Sequence, residues 1–276
     1  MDSPFQWHFA PDLVLKDAEQ AWLAQQVSTE LTPNLSVKHT LFEATFQGVE
    51  YIIKRYSPSD NKRWSRKIEM LLKSFYYSGA ERSFLGTLKL RAAGLPTMEP
   101  IAWCVYGKGL KQISYFIYKK SSADGDLEAF LDSQLVNQHK KCQAIERMGQ
   151  LTRQLHDANL RHVDIISKNF LVTSFCDDIP QLVIIDTDQV YSSVITRNYQ
   201  PLKRFFDLHC LRRIRFKSSF FHAFLDGYTG RKRATFPFYQ WRFWVLGGFN
   251  PSKRRRLMKQ LTAYTEQVHS DFHQYS

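Results

Sequence analysis

The 276-residue sequence contains little cysteine and no long apolar run. The four cysteines lie far apart, without a C-x-x-C pair, at Cys104, Cys142, Cys176 and Cys210. This spacing disfavours a structural zinc site, and a chain of this size needs no disulfide framework, so we expect a reduced, cytosolic protein. No apolar run approaches the roughly 20 residues that span a bilayer, and the first residues do not resemble a signal peptide. We therefore expect a protein that is soluble or that at most lies on a membrane surface.

Acidic residues are too few to balance the basic ones. The chain has 38 Lys and Arg against 26 Asp and Glu, a formal net charge of +12. Such an excess favours an anionic partner: nucleotide, nucleic acid, acidic lipid or a phosphorylated glycan. Much of it lies between residues 203 and 256, where Arg and Lys alternate with aromatic residues. That composition suits a membrane interface, nucleic acid, or a helical core with a basic exterior.

A glycine-rich phosphate loop is also missing, because no G-x-G-x-x-G motif occurs in the chain. Glycines in such a loop allow backbone N–H groups to approach phosphate closely. The absence argues mildly against a protein kinase.

One polar loop nevertheless carries a pattern that can support chemistry. His162, Asp164 and Asn169 form H-x-D-x-x-x-x-N, and Asp186 follows the apolar run Leu182–Ile185. An Asp and an Asn in one loop, with an Asp after the next strand, is the arrangement in which kinase-like folds hold a base and two metal ligands. We predict Asp164 as the catalytic base, and Asn169 and Asp186 as Mg²⁺ ligands. His162 is expected to brace the loop by hydrogen bonding.

Residues upstream of this loop occur in the order that ATP binding requires. Two strand-like runs, 37–46 and 49–56, are joined at Gly48 and predict a hairpin that ends near Lys54. A Lys late in such a strand can hold ATP phosphates, and a Glu on the next helix can orient it. Glu81, near the start of the predicted helix 80–93, is the first candidate. Its alternative role is to stabilise the helix N-terminus.

The lobe boundary is predicted after a second hairpin, formed by residues 100–106 and 112–118. Residues around Ile117 and Lys119 are ATP-binding candidates by position, with their backbone facing adenine. A helix over residues 141–158 then leads into the Asp164 loop. The predicted fold class is α+β: a two-lobed, protein-kinase-like fold with a small β-rich N-lobe (1–118) and a larger helical C-lobe (119–276).

Residues 155–172 and 184–188, together with 80–97, resemble the lipopolysaccharide core kinases, which include the heptose and Kdo kinases. The resemblance covers roughly residues 36–215. It implies a protein-kinase-like fold and transfer of the ATP γ-phosphate, with Mg²⁺, to a sugar hydroxyl of the inner core. The matching positions are Lys54, Glu81, Asp164, Asn169 and Asp186. The sequence departs from the family at Val163 and Thr187, which bears on the acceptor more than on the reaction type.

The resemblance further implies a lipopolysaccharide or related anionic glycolipid partner and peripheral contact with the cytoplasmic face of the inner membrane. No nucleic-acid partner is expected. Three alternatives stay open from the sequence alone: a kinase-fold regulatory protein without catalysis, a protein kinase, and a nucleic-acid-binding module. The absence of a clear A-P-E motif after Asp186 argues mildly against the protein kinase.

Overall fold

The structure is a computed structural model that describes residues 5–11, 17–30, 41–57, 77–107, 112–123, 125–162, 164–176, 179–192 and 218–230. Helices and strands alternate irregularly along it. Its strands are β1 (Gln6–Phe9), β2 (Leu41–Phe46), β3 (Val49–Tyr56), β4 (Glu99–Tyr106), β5 (Ile113–Lys119), β6 (Gly125–Asp126), β7 (Leu160–His162), β8 (Phe170–Cys176), β9 (Ile179–Ile184) and β10 (Val190–Ser192). Its helices are α1 (Asp17–Glu30), α2 (Gly79–Ala92), α3 (Leu127–Asp132), α4 (Gln138–Asp157) and α5 (Ser218–Thr229).

The first half of the chain builds an antiparallel five-stranded sheet in the order β1-β4-β5-β3-β2. Strands β2 and β3 form the predicted hairpin, with Phe46 opposite Val49. Its turn has positive φ at both central residues, Gln47 (50°) and Gly48 (81°), as tight hairpin turns that match the strand twist require. The β4–β5 hairpin is confirmed as well. Strand β1, which the sequence did not predict, pairs with β4 at the sheet edge.

Helices cover both faces of this sheet. On one face, Leu23 and Val27 of α1 are fully buried in a cluster that includes Ile53 and Ile117. The Tyr51 hydroxyl donates to Glu19 of α1 at 2.5 Å and fixes the helix on the strand. On the other face, α2 packs through a cluster that includes its own Phe84. Helix α1 thereby supports the sheet from behind, on the face opposite α2.

Helix α2 begins at a capping box. The Ser78 side chain accepts from the Glu81 N–H, and the Glu81 carboxylate accepts from the Ser78 N–H. These reciprocal bonds satisfy backbone donors that the first helical turn leaves without partners. After the helix, Gly94 adopts positive φ (69°) and Leu95 N–H donates to Leu90 O. Leu90 and Leu95 join the core of the second half of the chain, so α2 contributes to both cores.

The second core forms around α4, the helix that leads to the Asp164 loop. The stripe predicted from the sequence is confirmed: Ile145, Met148, Leu151 and Leu155 are 0–2% exposed. They pack with β8, β9 and α5 in one cluster. The arrangement holds the chain rigidly on both sides of the loop.

Helices α4 and α5 approach so closely that glycine is required on both. A Cβ added at Gly149 would lie 2.2 Å from the Phe224 carbonyl oxygen, and one at Gly227 would lie 1.9 Å from the Glu146 oxygen. His156 Nδ1 and the Tyr228 hydroxyl, 2.9 Å apart, add a hydrogen bond at the far end of the pair. Helix α5, which sequence periodicity did not single out, thus braces the helix behind the loop.

The segment after β5 is tied to the β2–β3 hairpin. Lys120 N–H donates to Glu50 O at 2.9 Å. The Lys120 ammonium lies 2.8 Å from Glu43 Oε2 and 3.5 Å from Glu50 Oε1. The predicted linker 119–126 is shorter in the structure, since β5 includes Lys119 and β6 begins at Gly125.

The α+β class with a β-rich lobe is confirmed, whereas the division at residue 118 stays a prediction. Predicted features over residues 37–40 and the basic, aromatic stretches 203–217 and 231–256 lie outside the described residues. Within the described ranges, none of the helices has the length and apolar character needed to cross a membrane.

Replacement of Gly149 by alanine tests the close helix contact. Because the new methyl group would overlap the Phe224 carbonyl, we expect Gly149→Ala to destabilise the protein by about 1–3 kcal/mol. Urea unfolding measures this loss. Gln154→Ala, on the exposed side of the same helix, is the control and should change stability by less than about 0.5 kcal/mol. Equal stability of the two variants would contradict the packing described here.

Candidate active site

The loop between β7 and β8 is organised by His162 and Asn169, both buried. His162 Nδ1 accepts from the Asp164 N–H at 3.3 Å, so the ring proton is on Nε2, which donates to Ile185 O at 3.3 Å. Asn169 Nδ2 donates to the Asp164 carbonyl at 2.8 Å. His162 therefore braces the loop, as the sequence indicates, and the Asp164 backbone is held on both sides.

The antiparallel register of β8 and β9 brings Asn169 close to Asp186. Phe170 lies opposite Ile184, and Ile185 N–H donates to Asn169 O at 2.9 Å. Asp186 follows directly in the left-handed conformation (φ 58°, ψ 50°). Such a conformation persists in a non-glycine residue only where its surroundings fix it. Here the fixed backbone turns the Asp186 side chain toward the first sheet.

Lys54 meets Asp186 across the two halves of the structure. The Lys54 ammonium lies 2.5 Å from Asp186 Oδ1, and the two side chains are 22% and 32% exposed. Burial disfavours the ammonium, but the oxygens of Tyr56, Asp186 and Asp188 outweigh it and raise the pKa of Lys54 above its ordinary value. Lys54 is therefore a fixed cation next to the strand-end carboxylates.

Glu81 does not make the expected ion pair with Lys54 in the described part of the chain. Its carboxylate serves the Ser78 capping box, and burial raises its pKa. The helix position that faces the Lys54 strand is Ser83, whose hydroxyl lies 2.5 Å from the Tyr56 hydroxyl. The structure thus favours the alternative role of Glu81 at the helix N-terminus.

Ile117 is also misplaced for contact with a ligand. Its side chain is fully buried on the α1 face, and its backbone lies in the ladder between Ile53 and Ala102. Alternation along β5 puts Tyr118 on the face of Lys54 instead. Lys119, at the end of the strand, is half exposed and lies 3.9 Å from Glu99.

The docking of α2 onto the Asp186 turn was not predicted from the sequence. The Thr187 hydroxyl donates to Ser83 O at 2.8 Å and lies 2.7 Å from the Thr87 hydroxyl. Gly86 lets the two segments touch, since a Cβ there would lie 2.1 Å from Thr187 O. These contacts are buried, and they fix the backbone immediately after Asp186. Thr187, a departure from the family pattern, therefore has a structural role.

Asn169 and Asp186 are suited to hold Mg²⁺, although Lys54 already occupies one Asp186 oxygen. The hydrogen bond through Asn169 Nδ2 leaves its Oδ1 as the ligating atom of the amide. Mg²⁺ prefers hard oxygen ligands of this kind. Proteins usually supply only one or two of them, and phosphate and water oxygens complete the coordination shell. No cluster of three or more His, Cys, Asp or Glu suited to a metal occurs among the described residues.

A family model for the lipopolysaccharide kinase (Kdo/WaaP) family matches residues 54–228, more than half of the chain. The chain belongs to this family. The matched region begins at Lys54, includes the whole of the Asp164 loop and the Asp186 turn, and ends within α5.

The individual proteins that match this chain have low sequence identity to it. A curated 3-deoxy-D-manno-octulosonic acid kinase from Vibrio cholerae serotype O1 (strain ATCC 39315 / El Tor Inaba N16961) is 26% identical over 154 residues. That match covers 52% of this chain and 62% of the relative, so the chain spans less than two thirds of the relative's length. A solved structure described as WaaP in complex with acyl carrier protein is 18% identical, with a TM-score of 0.56. The match covers 90% of this chain and 98% of the solved chain, and it shows that the two chains share a fold.

Substitution of Thr187 tests the docking of α2 on the Asp186 turn. Thr187→Val keeps the shape but removes the hydroxyl and its bonds to Ser83 O and to the Thr87 hydroxyl. Because the Thr87 hydroxyl still donates to Ser83 O, we expect a loss of about 0.5–1.5 kcal/mol in unfolding free energy. A double-mutant cycle with Thr87→Val isolates the shared contact, and the two losses should be less than additive. Strictly additive losses would show that the two hydroxyls do not interact.

Proposed function

We propose that this protein is an ATP-dependent kinase that transfers the γ-phosphate to a sugar hydroxyl of the lipopolysaccharide inner core. The observation that carries the proposal is the Lys54–Asp186 ion pair beside Asn169 and the Asp164 loop, in a member of this kinase family. A fixed cation, two hard oxygen ligands and a carboxylate in the adjoining loop are the groups that phosphoryl transfer uses.

Each residue then has one task. Lys54 binds the phosphates of ATP, and Asp164 orients the acceptor hydroxyl and accepts its proton. Asn169 and Asp186 hold Mg²⁺, which neutralises charge on the phosphates when it is bound. His162 and the Asn169 amide keep the Asp164 backbone in place. Positioning and charge neutralisation supply most of the rate in such a reaction.

An apolar surface beside Lys54 suits the adenine ring. Ile52 and Tyr118 are cross-strand neighbours on the Lys54 face, and Leu41 lies opposite Lys54 on β2. Leu41 is 54% exposed. Lys119 is the last residue of β5 and lies between Tyr51 and Glu99 at the end of the ladder. We propose that the nucleotide base lies against this surface, with Lys119 rather than Ile117 at its edge.

The acceptor is proposed to be an anionic glycolipid at the cytoplasmic face of the inner membrane. A net charge of +12 favours both the glycan and the lipid surface. Because the curated relative is named as a 3-deoxy-D-manno-octulosonic acid kinase, Kdo is the first acceptor to test and heptose the second. A nucleic-acid partner is not part of the proposal.

The first test is transfer of label from γ-labelled ATP with Mg²⁺ to purified, dephosphorylated inner-core lipopolysaccharide. Asp164→Ala should lower turnover by at least about 100-fold, the usual contribution of a general base. ATP affinity should stay near that of the wild type, because Asp164 acts on the acceptor. Digestion of labelled glycan then locates the phosphate on Kdo or heptose.

Outcomes of this experiment separate the alternatives. Wild-type turnover in Asp164→Ala would remove Asp164 as the base. ATP binding without label in the glycan would favour a regulatory protein without catalysis, the reading that the absent glycine-rich loop supports, or another acceptor. Failure to bind ATP would contradict the proposal as a whole.

A second substitution tests the metal ligand. Asp186→Asn should weaken Mg²⁺-dependent ATP binding by at least about tenfold. Mutation of a residue that only hydrogen-bonds a metal ligand typically lowers metal affinity or activity 10–100-fold, and Asp186 is proposed to be a ligand itself. Turnover should fall as well. Titration calorimetry with Mg²⁺-ATP measures the affinity. Asp157→Asn, which removes an exposed carboxylate on α4, is the matched control and should bind normally. Unchanged affinity in Asp186→Asn would contradict the metal role.

A further inference from the structure

The turn that carries Asp164 and Asn169 also carries an exposed cation. Every second side chain along it is buried: Ile165, Ser167 and Asn169 are each at most 7% exposed. Of the residues between them, Asp164 is half-buried and Lys168 is exposed. The turn therefore presents both a carboxylate and an ammonium to whatever binds against it.

Hydrogen bonds hold this turn in a fixed shape. Ile166 N–H donates to Asp164 O at 3.0 Å, and Asn169 N–H donates to Ile166 O at 3.0 Å. The Asn169 side-chain amide donates to the same Asp164 carbonyl at 2.8 Å. Because these bonds close the turn on itself, the backbone of Lys168 stays close to that of Asp164. The long Lys168 side chain can then reach a sugar whose hydroxyl Asp164 orients.

Lys168 has an exchangeable partner on helix α3. Its ammonium lies 3.7 Å from Glu128 Oε2, and the two side chains are 60% and 45% exposed. Direct hydrogen bonds between an ammonium and a carboxylate are about 2.7–2.9 Å long, so this contact is a loose ion pair. Exposed pairs of this kind contribute little to stability. A carboxylate that bonds Lys168 directly can therefore replace Glu128.

Glu128 is placed beside Lys168 by its own helix. Helix α3 begins after Asp126, whose side chain caps the first turn. Asp126 also belongs to β6, which pairs with β8, the strand that follows Asn169. A carboxylate in the first turn of a helix is favoured by the helix dipole. Glu128 thus has a stable position of its own when Lys168 changes partner.

We propose that Lys168 binds the carboxylate of an acidic acceptor sugar, which replaces Glu128 as its partner. This inference rests on the proposed function, in which the first acceptor to test is Kdo, an acid. The phosphates of ATP have their own cation in Lys54, on the first sheet beside Asp186. Lys168 lies on the loop of the base instead, so its charge serves the acceptor and selects an acidic sugar over a neutral one.

Steady-state kinetics with two acceptors test this role. One is dephosphorylated inner-core oligosaccharide, and the other is the same oligosaccharide with its carboxylates reduced to alcohols. Lys168→Met should raise KM for the acidic acceptor about 10- to 100-fold, the range for one hydrogen bond between charged groups, with little change in kcat. KM for the reduced acceptor should stay the same. Lys168→Arg keeps the charge and should retain most of the affinity.

Glu128→Gln distinguishes a binding cation from a structural ion pair. Because Glu128 competes with the acceptor for Lys168, its loss should lower KM for the acidic acceptor about two- to fivefold, the scale of an exposed ion pair. If the pair were only structural, Lys168→Met and Glu128→Gln would lower the melting temperature and change KM in the same direction. Lys140→Met, at the start of α4, is the control for the loss of one positive charge and should leave both KM values unchanged.

The outcomes separate this inference from the proposed function. An unchanged KM in Lys168→Met, or an equal rise with the reduced acceptor, would overturn the role of Lys168. A fall in kcat with both acceptors would overturn it as well and would assign Lys168 to the transferred phosphoryl group.

If the wild type transfers no phosphate, the proposed function fails, and equilibrium binding decides the role of Lys168. Titration calorimetry then compares the two oligosaccharides on the wild type and on Lys168→Met. Tighter binding of the acidic oligosaccharide by the wild type alone would support the carboxylate site. Equal affinities, or no binding of either oligosaccharide, would overturn it.

Discussion

The ion pair between Lys54 and Asp186 is the contact around which the site is arranged. It joins strand β3 of the first sheet to the turn after β9. Asp186 reaches it only in a left-handed backbone conformation. The bonds from Ile185 to Asn169 and His162 stabilise that conformation on one side. The chemistry therefore depends on backbone geometry as much as on the identity of the charged groups.

Helix α2 supports this geometry from the other side. Gly86, Thr87 and Ser83 contact Thr187, the residue after Asp186, while Ser83 also contacts Tyr56, beside Lys54. Helix α2 thus contacts the neighbours of both members of the ion pair, Tyr56 on β3 and Thr187 after Asp186.

Local patterning was sufficient to predict both hairpins and helix α4, because their apolar patterns agree with their final burial, and the H-x-D-x-x-x-x-N motif located the Asp164 loop. It was harder to predict from the sequence which face of a helix or strand carries the residues that point toward the site. Residues 81 and 83 are about 200° apart around a helix axis, and only docking on β3 shows that Ser83 faces the site. Ile117 and Tyr118 pose the same problem on a strand. Strand β1 and helix α5 depend on partners distant in sequence, β4 and α4, so their own residues carry little signal.

The attachment of Lys120 to the β2–β3 hairpin has a consequence for the movement of that hairpin. Its ammonium meets Glu43 and Glu50 at the surface, where salt weakens such pairs. The bond from its own N–H to Glu50 O is between neutral groups and persists at any ionic strength. The β2–β3 hairpin and the segment after β5 are therefore joined more rigidly in dilute buffer than in concentrated salt, where the backbone hydrogen bond still holds them together.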